Sequence, residues 1–232
     1  MKRREFLAVL AALALAPGAW AAGLDGITAG EAGQALRDSL AAATRAALAK
    51  LGKENGYFAN PQAKIGLPNN FRKAERILRA LGQGQKVDDL VLAMNRAAEL
   101  AVPKMEKQVI DAAKRLSVPD AKGVLTGGDQ SATAYFRQAT ETQLSAELIP
   151  AIKGVAEHSG LTRAYNTLST KLVQLAGIKS EQATVENYVS KKALEGIYTM
   201  IGAEERTLRA NPSQYAGGLI GKVFGLIKEP RS

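Results

Sequence analysis

The stretch from Val87 to Leu116, VDDLVLAMNRAAELAVPKMEKQVIDAAKRL, constrains the fold more than any other part of the chain. Val87, Leu90, Val91, Met94, Ala97, Ala98 and Ala101 recur at helical spacing and form one apolar stripe. A second stripe runs through Val102, Met105, Val109, Ala112 and Leu116. Pro103 stands between them. Proline removes a backbone donor and crowds the preceding turn, so the expectation is a central helix pair, either two helices or one long helix kinked at Pro103.

The other segments read as shorter amphipathic helices that need such a surface to pack on. Thr28-Ala29-Gly30-Glu31 is a capping box that opens a helix ending at Gly52. A loop from Lys53 to Pro68 follows and carries Tyr57, Phe58 and Ile65. The next helix runs through Leu81, with Phe71, Ala74, Ile77, Leu78 and Leu81 facing inward. Past the central pair, Ser117 is placed to cap a short helix and Asp129 the one after it. A helix from Gln143 to His158, bent near Pro150, one from Leu161 to Leu175 and one from Thr184 to Leu208 complete the body. The segment 214–227 adds a final helix docked on it. No stretch alternates with period two between turns, so no substantial sheet is expected. The fold class is all-α, a single domain of about eight to ten helices.

The first 21 residues read as a cleaved export signal. Lys2, Arg3 and Arg4 precede an apolar run, Phe6 to Leu15, and Ala19-Trp20-Ala21 fits an A-x-A cleavage site. The apolar run is too short to span a bilayer. Arg3-Arg4-Glu5-Phe6-Leu7 also has the form of a twin-arginine signal. The expected location is therefore the periplasm, with cleavage after Ala21 and a folded domain over 22–232.

The chain has no cysteine, which excludes disulfides, thiol chemistry and a lipid anchor on cysteine. Its one histidine, His158, leaves no ordinary zinc site. No metal or cofactor is expected. Lys and Arg number 31 against 22 Asp and Glu; without Lys2, Arg3, Arg4 and Glu5 the balance is 28 against 21, or +7. An anionic lipid surface would suit that charge. The basic residues are dispersed, which argues against nucleic acid.

Carboxylates are what remains for chemistry. Asp88, Asn95 and Glu99 run down one flank of the central stretch, with Arg96 beside them. Glu204 falls next to Ile201 and Leu208 on the apolar stripe of the last long helix, where a carboxylate must find a partner or shift its pKa. One reading brings Glu99 and Glu204 to a shared polar cavity with Arg96, Lys122, Arg137 or Lys192 as counter-charges. The other makes them ion pairs that fix helix register. Gly127-Gly128-Asp129 before a helix could present amides to an anion, or simply be a tight turn. Gly217, Gly221 and Gly225 form a small-residue face on the last segment.

Four blocks together resemble one family: LGKENGYFANPQAKIGLPNNFRKAERILRALG (51–82), DDLVLAMNRAAELAVPK (88–104), DAKGVLTGGDQSATAYFR (120–137) and YVSKKALEGIYTMIGAEERTLRANP (188–212). The chain resembles the bacterial exported family catalogued as domain of unknown function 4197. The resemblance implies a mostly helical exported protein and brings no established activity. Many relatives look like lipoproteins, whereas this chain lacks the cysteine for that tether. The expected function is a non-catalytic binding or interaction module with an unknown ligand or envelope protein as partner. Its groove would be flanked by Asn95, Arg96, Glu99 and the loop after Val124. The alternatives are an acid–base enzyme using Glu99 and Glu204, and a peripheral membrane protein using the glycine-rich C-terminal segment.

Overall fold

The computed structural model of the protein describes residue 24 and residues 26–68, 71–176, 184–215 and 218–228. The export signal and Gly217 lie outside the described residues. All regular structure among the described residues is helical, in one all-α domain. The α-helices are α1 (Ala29–Leu51), α2 (Arg72–Ala80), α3 (Gly84–Lys114), α4 (Ala121–Leu125), α5 (Ser131–Ala156), α6 (Leu161–Ala176), α7 (Val185–Ala210) and α8 (Leu219–Lys228). A 3₁₀ turn, Pro212–Tyr215, precedes α8.

The four long helices close a ring. α1 packs on α3, α3 on α5, α5 on α7, and α7 back on α1. The ring follows from the stripes. Leu36, Leu40, Leu90, Met94, Ala97, Phe136, Leu144, Ile197 and Ile201 are all fully or almost fully buried, and apolar area removed from water is the main stabilising term. The short helices are satellites: α2 and α6 lie on α3, α4 on α1 and α5, and α8 on α1 and the 3₁₀ turn.

α3 is one unbroken helix of 31 residues, and Pro103 lies inside it rather than between two helices. α5 joins in one helix the segment expected after Asp129 and the helix expected from Gln143 to His158, and it runs unbroken through Pro150. Both prolines face solvent; each costs the helix one hydrogen bond and can bend it without ending it.

The caps hold at some ends and move at others. The Thr28–Glu31 box forms in full, and Gly52 terminates α1. Thr184 caps α7. At α4 the cap is Asp120, not Ser117; its carboxylate accepts the Gly123 N–H at 2.9 Å. Asp129 does not cap α5 either. Gln130 occupies that position without a side-chain bond. Leu81, expected inside, is 56% exposed, because it falls past the last turn of α2 at the tip of the α2–α3 hairpin.

Candidate functional site

The polar flank of α3 meets the loop 53–68. Asn95 is fully buried; its Oδ1 accepts the Ile65 N–H at 2.8 Å and its amide donates to the Ile65 carbonyl at 2.8 Å. The Glu99 side chain is 4% exposed, and its Oε1 accepts the N–H groups of Tyr57 and Phe58, each at 3.0 Å. Arg96 donates to the other Glu99 oxygen and reaches Glu54 Oε1 at 3.1 Å and Asn55 Oδ1 at 3.0 Å. A loop entering a packed body brings backbone donors that must be satisfied. Asn95 and Glu99 supply the acceptors.

The loop is shaped to be held there. Asn55 takes a left-handed conformation, φ 65°, at the turn leaving α1, which Asn tolerates better than most residues. A Cβ on Gly56 would lie 2.5 Å from the Lys50 and Leu51 carbonyl oxygens, so only glycine fits that approach. Tyr57 then enters the core, donates its hydroxyl to the Ala193 carbonyl at 2.8 Å and lies against Gly196. Burial pushes its phenol well above the ordinary tyrosine range.

A second buried carboxylate organises the far side of the ring. Glu205 on α7 is 3% exposed. It accepts the N–H groups of Ala132 at 3.1 Å and Thr133 at 2.8 Å and the Thr133 hydroxyl at 2.6 Å. These are first-turn donors of α5, which have no partner inside their own helix. Glu205 caps α5 from another helix, taking the place expected of Asp129. Arg209, one turn on, binds Glu205 at 2.8 Å, the Leu125 carbonyl at 2.7 Å and Ser131 Oγ at 3.0 Å. Its guanidinium also stands 5.1 Å from the centre of the Phe224 ring on α8.

The expected constellation therefore divides. Asn95, Arg96 and Glu99 form one network. Glu204 pairs with Lys50 at the end of α1. Lys122 donates to the Leu24 carbonyl at 2.9 Å. Asp129 is exposed. Arg137 pairs with Glu141 at 3.0 Å and lies 5.6 Å from the centre of the Tyr198 ring. Tyr198, whose hydroxyl meets that of Thr140 at 2.9 Å, is pushed up to about 12 by burial. No hydrogen bond or ion pair among the described residues joins Glu99 to Glu204, and the loop after Val124 belongs to the Arg209 network.

Glu204 and Glu205 are equally placed about the apolar stripe of α7. At about 100° per residue, the two lie about 50° to either side of the centre of the Leu194–Ile197–Ile201–Leu208 stripe. Periodicity cannot separate them. The signal that could have done so is Arg209, four residues after Glu205 and on its side of the helix.

Two open grooves flank α3. One, of about 590 Å³, lies between the second half of α3 and α5, with Lys107, Asp111, Arg115, Gln143 and Glu147 among its walls. There the Lys107 ammonium holds the Asp111 carboxyl below the ordinary carboxylate range. The other, of about 330 Å³, lies between the first half of α3 and α6, with Leu92, Ala93 and Ala164 on its apolar surface. Neither Glu99, Glu204 nor Glu205 lines either groove. No group of three or more His, Cys, Asp or Glu side chains among the described residues is placed to hold a metal ion, and none of their helices is long and apolar enough to cross a membrane.

A family model described as "Protein of unknown function (DUF4197)" matches residues 26–225. No curated protein and no solved structure matches the chain.

Proposed function

The chain belongs to the DUF4197 family, and from that premise and the geometry above we propose that it is an exported, non-catalytic binding module of the bacterial periplasm. The observation that carries this reading is the use made of its buried carboxylates. Glu99 and Glu205 spend their oxygens on backbone N–H groups and arginines. A general acid or base needs a proton-exchanging oxygen aimed at a substrate; these are aimed at the fold. Small-molecule sites are concave, largely apolar and carry a few polar groups, and the α3–α6 groove answers that description.

The acid–base alternative gains no support from Glu204, which is tied to Lys50. The lipid-surface alternative draws on α8, where Leu226 is 39% exposed. Of its other large apolar groups, Val223 and Phe224 are buried and Leu219, Ile220 and Ile227 are partly buried against the body, so much of its apolar surface is already used in docking.

Native mass spectrometry on protein purified from its own periplasm tests the reading. A retained molecule of fixed mass, competed off by excess of the same compound, is the expected result. Folded protein that carries nothing from any preparation, yet turns over a substrate, would replace binding with catalysis.

A further inference from the structure

Asn55–Gly56 is the one place in the chain where glycine follows an asparagine. Such a pair can modify itself. Gly56 has no Cβ, so its nitrogen approaches the Asn55 side-chain amide unhindered. The nitrogen gives its proton to solvent base and bonds to Asn55 Cγ; the Cγ–Nδ2 bond breaks and ammonia leaves. Water then opens the five-membered imide. Attack at Cγ leaves an aspartate. Attack at the main-chain carbonyl leaves an isoaspartate, whose chain runs on through Cβ and Cγ and is one methylene longer.

The seated loop opposes this reaction. Asn55 is exposed, so water and base reach it. From the left-handed conformation, ring closure has to turn the planar 55–56 peptide about the Asn55 Cα–C bond. Both edges of that peptide are tied. Its N–H donates to the Lys53 carbonyl at 2.9 Å, and its carbonyl accepts the Ala59 N–H at 3.1 Å. Arg96 holds the Asn55 side-chain oxygen at 3.0 Å and is itself bound to Glu99. Gly56 has little room to follow the turn, because the Lys50 and Leu51 carbonyl oxygens fill the space beside its Cα.

We propose that Asn55–Gly56 is a self-modification site gated by the loop 53–68. It is silent while the loop is seated and converts to isoaspartate when the loop opens. The conversion runs one way. The longer chain carries Gly56 against the Lys50 and Leu51 carbonyls, so the modified loop does not reseat, and the Tyr57 and Phe58 N–H groups stay off Glu99. A transient opening is thereby fixed as a lasting one. The added carboxylate alone has no such effect, since it still offers an acceptor to Arg96.

Peptide mapping by mass spectrometry in mildly alkaline buffer, with hydrogen exchange on the same samples, tests this. In urea-unfolded protein Asn55 should convert ahead of every other asparagine. In native protein it should convert at least tenfold more slowly. Its rate should climb with urea below the unfolding midpoint, in step with exchange of the Gly56 amide. Glu99→Gln, which weakens the hold on the loop, should raise both rates together. Protein purified after conversion to isoaspartate should exchange its Tyr57 and Phe58 amides at least tenfold faster than unconverted protein. Asn55→Asp, which adds the carboxylate without lengthening the chain, should exchange like the unconverted protein. Equal conversion rates in native and unfolded protein, no preference for Asn55 in urea, or a native rate that does not follow the Gly56 amide would overturn the proposal. So would converted protein that protects Tyr57 and Phe58 as before, or Asn55→Asp opening the loop as far as isoaspartate does.

Discussion

Replacing Glu205 with alanine removes the acceptor at the start of α5 and the partner of Arg209 in one step. Both residues are nearly dry, with side chains 3% and 11% exposed. The Ala132 and Thr133 N–H groups lose their acceptor and have no helical partner to return to. Losing an N-cap costs about 1 kcal/mol, and breaking a buried ion pair from one side costs about 3–5 kcal/mol. Arg209 keeps the Leu125 carbonyl and Ser131 Oγ, which holds the total near the lower end, about 3–4 kcal/mol. That is a large part of the roughly 5–15 kcal/mol typical of a folded domain. Urea unfolding followed by far-ultraviolet circular dichroism measures it. The double variant Glu205→Ala, Arg209→Ala leaves no stranded buried charge, so it should lose at least about 1 kcal/mol less than the sum of the two single losses. A loss under about 1 kcal/mol for Glu205→Ala, or strict additivity in the cycle, would refute the account of this cap.

Gly196→Ala places a Cβ 2.7 Å from the ring of buried Tyr57; overpacking should outweigh the gain in helix propensity and cost about 1–2 kcal/mol, read by the same unfolding assay. Thr44 carries a buried hydroxyl without a hydrogen-bond partner among the described residues, so Thr44→Val should be neutral or stabilise by up to about 1 kcal/mol, and a clear loss would reveal a hidden partner. The Glu31 carboxyl is held down at about 2 from an ordinary 4.5, first by the Thr28 backbone N–H, then by the Thr28 hydroxyl and Lys222 of α8. Its folded pKa lies below its unfolded one, so its contribution is complete above pH 4.5 and disappears as pH falls through about 2. The stability difference between the protein and Glu31→Gln should shrink to nothing across that window.

Much of the fold was legible because one rule governed it. Apolar stripes at helical spacing placed α1, α3 and α7, and the Thr28–Glu31 box is a local pattern that needs no tertiary partner. What escaped the sequence came from other parts of the chain. Asp129 satisfies the grammar of an N-cap, yet α5 is capped by Glu205, 72 residues beyond Thr133. Leu81 continues a stripe that has already run out of helix. Gly225 belongs to a small-residue face, but nothing lies within 4 Å of where its Cβ would be, and α8 docks through Val223 and Phe224 instead. Asn95, Arg96 and Glu99 were identifiable as a polar flank. Their purpose was not, because the loop they hold is 30 to 42 positions earlier in the chain.

That flank carries the central claim, that the buried carboxylate of α3 serves architecture and leaves binding to the grooves. Native-state hydrogen exchange at the Tyr57, Phe58 and Ile65 amides tests it most directly. These donors are held by Glu99 and Asn95, so they should exchange only with global unfolding, at the rate of the ring-helix amides. Exchange orders of magnitude faster, by local opening of the loop while the ring stays protected, would expose Glu99 to solvent and substrate and contradict the claim.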